Sequence, residues 1–174
     1  AHLDVSPKSL IFGNGSNEVI DILIRALVSP GENVVFSEHS FLVYPLTCGV
    51  HFRCGNAVPL GEGDKHDLKA MAAAVNAKTK LVLVCNPNNP TGTHNTTEEF
   101  VNFMESVPEN VIVGVDEAYY EYATAEDYPQ TLGMMKQYPN LVLLRTFSKI
   151  HSLAGLRVGY GVGHPDLISE LHKT

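Results

Sequence analysis

Seven short runs of apolar, largely β-branched residues recur along the 174 residues of this chain and limit its fold more than any other feature. They are SLIFG (9–13), NVVFS (33–37), VHFRC (50–54), KLVLVC (80–85), VIVGVD (111–116), LVLLRT (141–146) and RVGYGVG (157–163). A strand with one wet face alternates apolar and polar residues. Most of these runs are continuous, so they read as strands covered on both faces. Helical patterns lie between several of them. In SNEVIDILIRALVSPGE, the residues Val19, Ile20, Leu23, Ile24, Leu27 and Val28 make one stripe, with Ser16 or Asn17 as cap and Pro30-Gly31 as stop. HDLKAMAAAVNAKT, TTEEFVNFMESV with Thr96 or Thr97 as cap, and HPDLISELHKT give three more helices. Strands alternating with helices predict an α/β fold, a three-layer α/β/α sandwich around a seven-stranded, mostly parallel sheet. Length and a hydrophobic fraction of 44% fit one domain over residues 1–174 with a single core.

Composition narrows the partners. The net charge of -7 is spread along the chain without basic blocks, which argues against nucleic acid and anionic membranes. No apolar run approaches the roughly 18 residues of a membrane helix, so a soluble protein is expected. Cys48, Cys54 and Cys85 form no CxxC pair and are odd in number; neither a disulfide framework nor a zinc site is indicated, and a reducing cytoplasm fits best. The histidines, His2 among them, show no metal-ligand spacing, and no metal site is expected.

Open α/β sheets bind ligands just beyond the carboxyl ends of their strands. The polar motifs fall there: GNGSNE after the first run, NPNNPTG after the fourth, DEAYYEY after the fifth and TFSK after the sixth. Gly13-Asn14-Gly15 resembles the start of a dinucleotide fingerprint, but Glu18 stands where the third glycine belongs and no acidic residue ends the second strand, which argues against NAD. What remains is a glycine turn that presents the Ser16 and Asn17 amides at a helix start, suited to a phosphate. NPNNPTG is a rigid turn that holds Asn89 at a strand terminus as an amide donor. Asp116 ends an apolar strand, where a carboxylate is partly desolvated and needs a cationic or N–H partner.

Lys149 carries the only amine at this edge. Flanked by Phe147 and Ile150, it is expected to lose its proton readily and attack an aldehyde, with Thr146 and Ser148 supplying hydroxyls and Arg157 returning to fork onto a phosphate. A phosphate cradle, a buried acid, an amide donor and an amine together describe a site for pyridoxal 5'-phosphate.

NPNNPTG, DEAYYEY and RTFSKIHSLAGLRVGY, in this order and spacing, resemble the fold-type I aminotransferases, most closely those acting on histidinol phosphate. The resemblance spans essentially the whole chain. It implies that Lys149 is the Schiff-base lysine and proton carrier, that Asp116 pairs with the pyridinium nitrogen, and that Asn89 and Tyr119 bond the ring's 3-oxygen. The phosphate would take the Ser16 and Asn17 amides, the Thr146 and Ser148 hydroxyls and Arg157. Phe41 matches the ring that stacks on the cofactor, commonly tyrosine in relatives; His151 and Ser152 stand where relatives often have an aromatic residue and glycine. The implied reaction takes a small-molecule amino donor, histidinol phosphate, and a 2-oxo acid acceptor, 2-oxoglutarate. Threonine-phosphate decarboxylase, aromatic aminotransferases and a non-catalytic regulator module share the pattern. Relatives act as homodimers and add an N-terminal segment, with a tyrosine for the neighbouring site, and a small domain whose arginines clamp the substrate. The expectation here is the cofactor-binding large domain alone, with little turnover of its own.

Overall fold

In a computed structural model that describes residues 3–174, His2 lying outside them, the chain forms one seven-stranded sheet flanked by helices. In chain order the elements are β1 (Leu10–Asn14), α1 (Ser16–Leu27), β2 (Asn33–Ser37), α2 (Val43–Val50), β3 (Cys54–Val58), α3 (Leu68–Ala74), β4 (Thr79–Cys85), α4 (Thr97–Ser106), β5 (Ile112–Asp116), α5 (Thr131–Met134), β6 (Leu141–Thr146), β7 (Val158–Val162) and α6 (Pro165–Leu171). The strand order is β1-β7-β6-β5-β4-β2-β3. Neighbours from β6 to β3 are parallel, whereas β7 is antiparallel to both β6 and β1. Two reversals cancel, so β1 points the same way as β4, β5 and β6. Its carboxyl end joins theirs at one edge.

The continuous apolar runs have a direct cause. Along β4, Leu81 and Leu83 pack with α1 and α2, while Val82 and Val84 pack with α3 and α4. Each such fully buried side chain contributes roughly 1.5–3 kcal/mol. One face carries Val19, Ile20, Leu23 and Ile24 of α1 and Ile168 of α6; the other carries Met71 of α3 and Phe100 and Phe103 of α4. The single core expected from composition is therefore divided in two by the sheet.

The third strand departs from expectation. VHFRC (50–54) is not a strand: α2 ends at Val50, Phe52 turns the chain at φ 54 with its ring 89% exposed, and β3 starts at Cys54. As an edge strand bonded only to β2, it tolerates the polar sequence CGNAV. Gly55 leaves room for Phe36, whose ring would lie 2.9 Å from an added Cβ.

Helix starts follow their capping chemistry. Thr96 and Glu99 form a reciprocal capping box on α4, the Thr96 hydroxyl accepting from the Glu99 N–H at 3.2 Å and the Glu99 carboxylate from the Thr96 N–H at 2.7 Å. The start of α1 is different: Gly15, at φ 75, occupies the cap, not Ser16 or Asn17. Ser16 and Asn17 become the first two helical residues, whose amides have no partner within the helix. α2 and the single turn α5 were not predicted.

Candidate active site

All ten residues singled out from the sequence line one cavity of about 230 Å³ at the carboxyl edge of the sheet. Ser16 and Asn17 open α1, Phe41 precedes α2, Asn89 follows β4, and Asp116 and Tyr119 end and follow β5; Thr146, Ser148 and Lys149 come from the end of β6, and Arg157 precedes β7. A larger cavity of about 490 Å³ lies between α3 and α4, away from these residues.

One end is built to hold an anion. The free amides at the start of α1 stand beside Arg157, whose Nη1 donates to the Ala154 carbonyl at 3.0 Å and to Ser148 Oγ at 3.4 Å. Thr146 Oγ1 donates to Ser148 Oγ at 3.0 Å and accepts from the Ser148 N–H at 3.2 Å. Arg157 sits in the left-handed region at φ 51, and its carbonyl accepts from the Gly15 N–H at 3.0 Å, tying the two walls together. A Cβ at Gly15 would stand 2.7 Å from the guanidinium. Glu18, the residue that broke the dinucleotide fingerprint, folds this turn by accepting from the Asn14 N–H at 2.6 Å.

Gly159 is where β7 passes against the helix start, and a Cβ there would meet the Ser16 nitrogen at 2.2 Å. Gly159→Ala is expected to displace the turn and to destabilise the fold by about 1–3 kcal/mol in urea unfolding. Gly155→Ala, with nothing within 4 Å of its added methyl, is the neutral control. Equal midpoints for the two variants would refute this close approach.

The other end holds Asp116, which is 1% exposed. Its Oδ1 accepts from the Ala118 N–H and its Oδ2 from the Tyr44 hydroxyl, each at 3.1 Å. Burial pushes the carboxyl from an ordinary 3.8 up to about 6, against the Ala118 N–H, the Tyr44 hydroxyl and the Lys149 charge, which all favour the carboxylate. Between these values the folded chain holds a proton that the unfolded chain has lost. The group therefore destabilises the fold above about pH 6, and that cost is relieved as pH falls toward 4. Asp116→Asn is expected to make the cofactor-free chain more stable than the parent at pH 8, by up to about 3 kcal/mol, with the gap closing near pH 4. A pH-independent difference in urea midpoints would contradict this.

Lys149 differs in one respect from its expected setting. The apolar flanks do not enclose it: Lys149 is exposed and Ile150 is 43% exposed. Its Nζ instead stands 5.0 Å from the centre of the Tyr119 ring, a cation–π contact that holds the amine at the cavity. Ser152 has φ 56, a conformation that glycine adopts without strain, and its N–H donates to the Lys149 carbonyl at 2.9 Å. The His151 ring lies tilted at 50° to Phe147 with centroids 5.3 Å apart, and its Nε2 is 3.7 Å from a Glu121 oxygen.

Sequence reasoning missed Tyr44, Cys85 and Gly159. Cys85 lines the cavity, and His66 supports it from behind. Its Nε2–H donates to the Cys85 carbonyl at 2.7 Å and its Nδ1 accepts from the Ser37 hydroxyl at 2.6 Å, with burial favouring the neutral ring. A glycine in an apolar run was the available signal for Gly159.

A lysine, a buried acid and an anion cradle at the carboxyl edge of a mostly parallel sheet define an α/β domain with a site suited to a phosphorylated aldehyde. The chain belongs to the aminotransferase class I and II family, whose sequence model matches residues 1–174. It is 49% identical over 173 residues to the histidinol-phosphate aminotransferase of Geobacillus sp., covering 99% of this chain and 47% of that protein. Identity to the Brevibacillus brevis histidinol-phosphate aminotransferase is 50% over 172 residues, with the same coverage. Among solved structures, the histidinol-phosphate aminotransferase of Sinorhizobium meliloti in complex with pyridoxal-5'-phosphate superposes with a TM-score of 0.92 at 32% identity, over 99% of this chain and 47% of that one. The chain thus spans a little under half the length of these relatives.

Proposed function

We propose that these residues are the cofactor-binding large domain of a pyridoxal-phosphate-dependent aminotransferase that moves the amino group of histidinol phosphate to 2-oxoglutarate. The observation that carries this reading is the convergence on one cavity of an anion cradle, a buried carboxylate and a single lysine. The donor set fits the group. Two helix amides, Ser148 and Arg157 match a phosphate; Asp116 matches a ring cation; Asn89 and Tyr119 match a phenolic oxygen. Pyridoxal phosphate, when bound, supplies an aldehyde that captures the amine and a ring that accepts electrons. With that group bound, Asp116 would keep its ring nitrogen protonated, Lys149 Nζ would serve as the amine that forms the link and carries the proton, and Phe41 would pack against the ring. The relatives' names favour histidinol phosphate as donor.

Among the described residues Arg157 is the only arginine lining the cavity, and it is engaged in the cradle. Substrate anion recognition is therefore assigned to the remainder of the protein, and the 174 residues alone are expected to bind cofactor with turnover below about 1 s⁻¹. The whole protein, given histidinol phosphate and 2-oxoglutarate, is expected to form glutamate. Release of carbon dioxide from threonine phosphate, or no glutamate from any amine, would replace this reading.

A homodimer is part of the proposal. Leu42, the cap of α2, and Leu46 and Val50 within it repeat at four-residue spacing and are 58–70% exposed, next to Phe52. Apolar surface of this kind is normally covered, and a second copy is the occupant that the family resemblance implies. Leu46→Asp is expected to shift sedimentation toward monomer; an unchanged profile would place the interface elsewhere. All three cysteines are free, which supports a reducing compartment, the cytoplasm. No helix among the described residues is long and apolar enough to cross a membrane.

A further inference from the structure

We propose that Tyr44 is a positioning residue of this site: its hydroxyl fixes one oxygen of Asp116 while the edge of its ring braces Phe41, so one side chain sets both the anion and the stacking ring. Tyr44 is fully buried on α2 and lies outside the cavity lining. Its hydroxyl is 3.1 Å from Asp116 Oδ2, and its ring meets Phe41 edge-on, with centroids 5.8 Å apart at 88°. Behind it, Phe36 packs at 6.1 Å, which leaves the ring little freedom. Burial and the charge of Asp116 keep the Tyr44 hydroxyl protonated, so it acts only as a donor to the carboxylate. The other oxygen takes the Ala118 amide, and the remaining ionisable groups acting on Tyr44 and Asp116 are Cys85, neutral through burial, and Lys149.

The inference rests on the pyridoxal-phosphate reading for its effect on cofactor, but not for the Tyr44–Asp116 link itself. Tyr44→Phe keeps the ring and its brace on Phe41 and removes only the donor. In cofactor-free protein carrying ¹³C-labelled aspartate, the Asp116 midpoint is expected to rise by about one pH unit in the variant, because a hydrogen bond to the ionised form has been lost. Cofactor affinity, followed by fluorescence, is expected to fall about tenfold near pH 5 and about twofold near pH 7, and to match that of the parent by about pH 9, where Asp116 is ionised in both proteins. A purely structural role would lower affinity equally at every pH. In an Asp116→Asn background, Tyr44→Phe is expected to have no pH-dependent effect, which also serves if the single variant folds poorly. An unchanged Asp116 midpoint, or a loss uniform across pH, overturns the proposal. Failure of the parent to bind pyridoxal phosphate would overturn the cofactor reading instead, and the aspartate titration would still decide the link.

Discussion

Lys149→Ala is expected to lower turnover of the protein that carries this chain by at least about a thousandfold, and to let cofactor wash out on gel filtration. Two losses combine. A positioned acid–base group contributes about 10²–10⁴-fold, and the covalent anchor that retains the aldehyde disappears with the amine. Among the described residues no other lysine lines the cavity; Lys65 pairs with Glu99 and Lys80 with Glu32 elsewhere on the surface. Lys149→Arg separates charge from chemistry, since it restores a cation over the Tyr119 ring without a nucleophilic amine. It is expected to be as inactive as the alanine variant. Borohydride reduction of the parent followed by peptide mapping is expected to place the pyridoxyl group on Lys149, and its recovery on any other lysine would remove the assignment.

Asp116→Asn is expected to reduce turnover by about a hundredfold while leaving the fold intact, the typical cost of losing one preorganised electrostatic partner. A neutral amide cannot hold a ring proton as a carboxylate does, so the loss belongs to the proton-abstraction step and is read in single-turnover kinetics. The same substitution is expected to stabilise the cofactor-free chain at high pH. Opposite signs in the two experiments are what a charge buried for function predicts. Unchanged single-turnover rates with cofactor retained would assign Asp116 another role.

Much of the fold was legible because β2, β4, β5 and β6 are buried on both faces, so apolar residues fill their centres, and the buried polar residues Asn33, Ser37, Thr79, Asp116, Arg145 and Thr146 are each hydrogen-bonded. β3 was misplaced for the converse reason: an edge strand needs little apolar surface, while the adjoining helix α2 carries Val43, Tyr44, Pro45 and Val50, types that do not announce a helix. The site was legible to the extent that its chemistry sits in polar turns after strands. Tyr44 was not, because its partner lies 72 residues away in sequence and a tyrosine on a buried helix face carries no local sign of what it touches.

The opposed direction of β7 gives the site two kinds of parts. Asp116 belongs to the sheet itself, so its place follows from strand register. Lys149 and Arg157 hang instead on one excursion that leaves at Thr146 and returns at Val158, its feet joined where the Phe147 N–H donates to the Val158 carbonyl at 3.1 Å. The span between amine and guanidinium is thus a property of loop length, adjustable by insertion or deletion without disturbing a single strand pairing. A lineage adapting this scaffold to an aldehyde whose reactive carbon lies nearer to or farther from its phosphate would have its tuning point here, and a designer would find the same one.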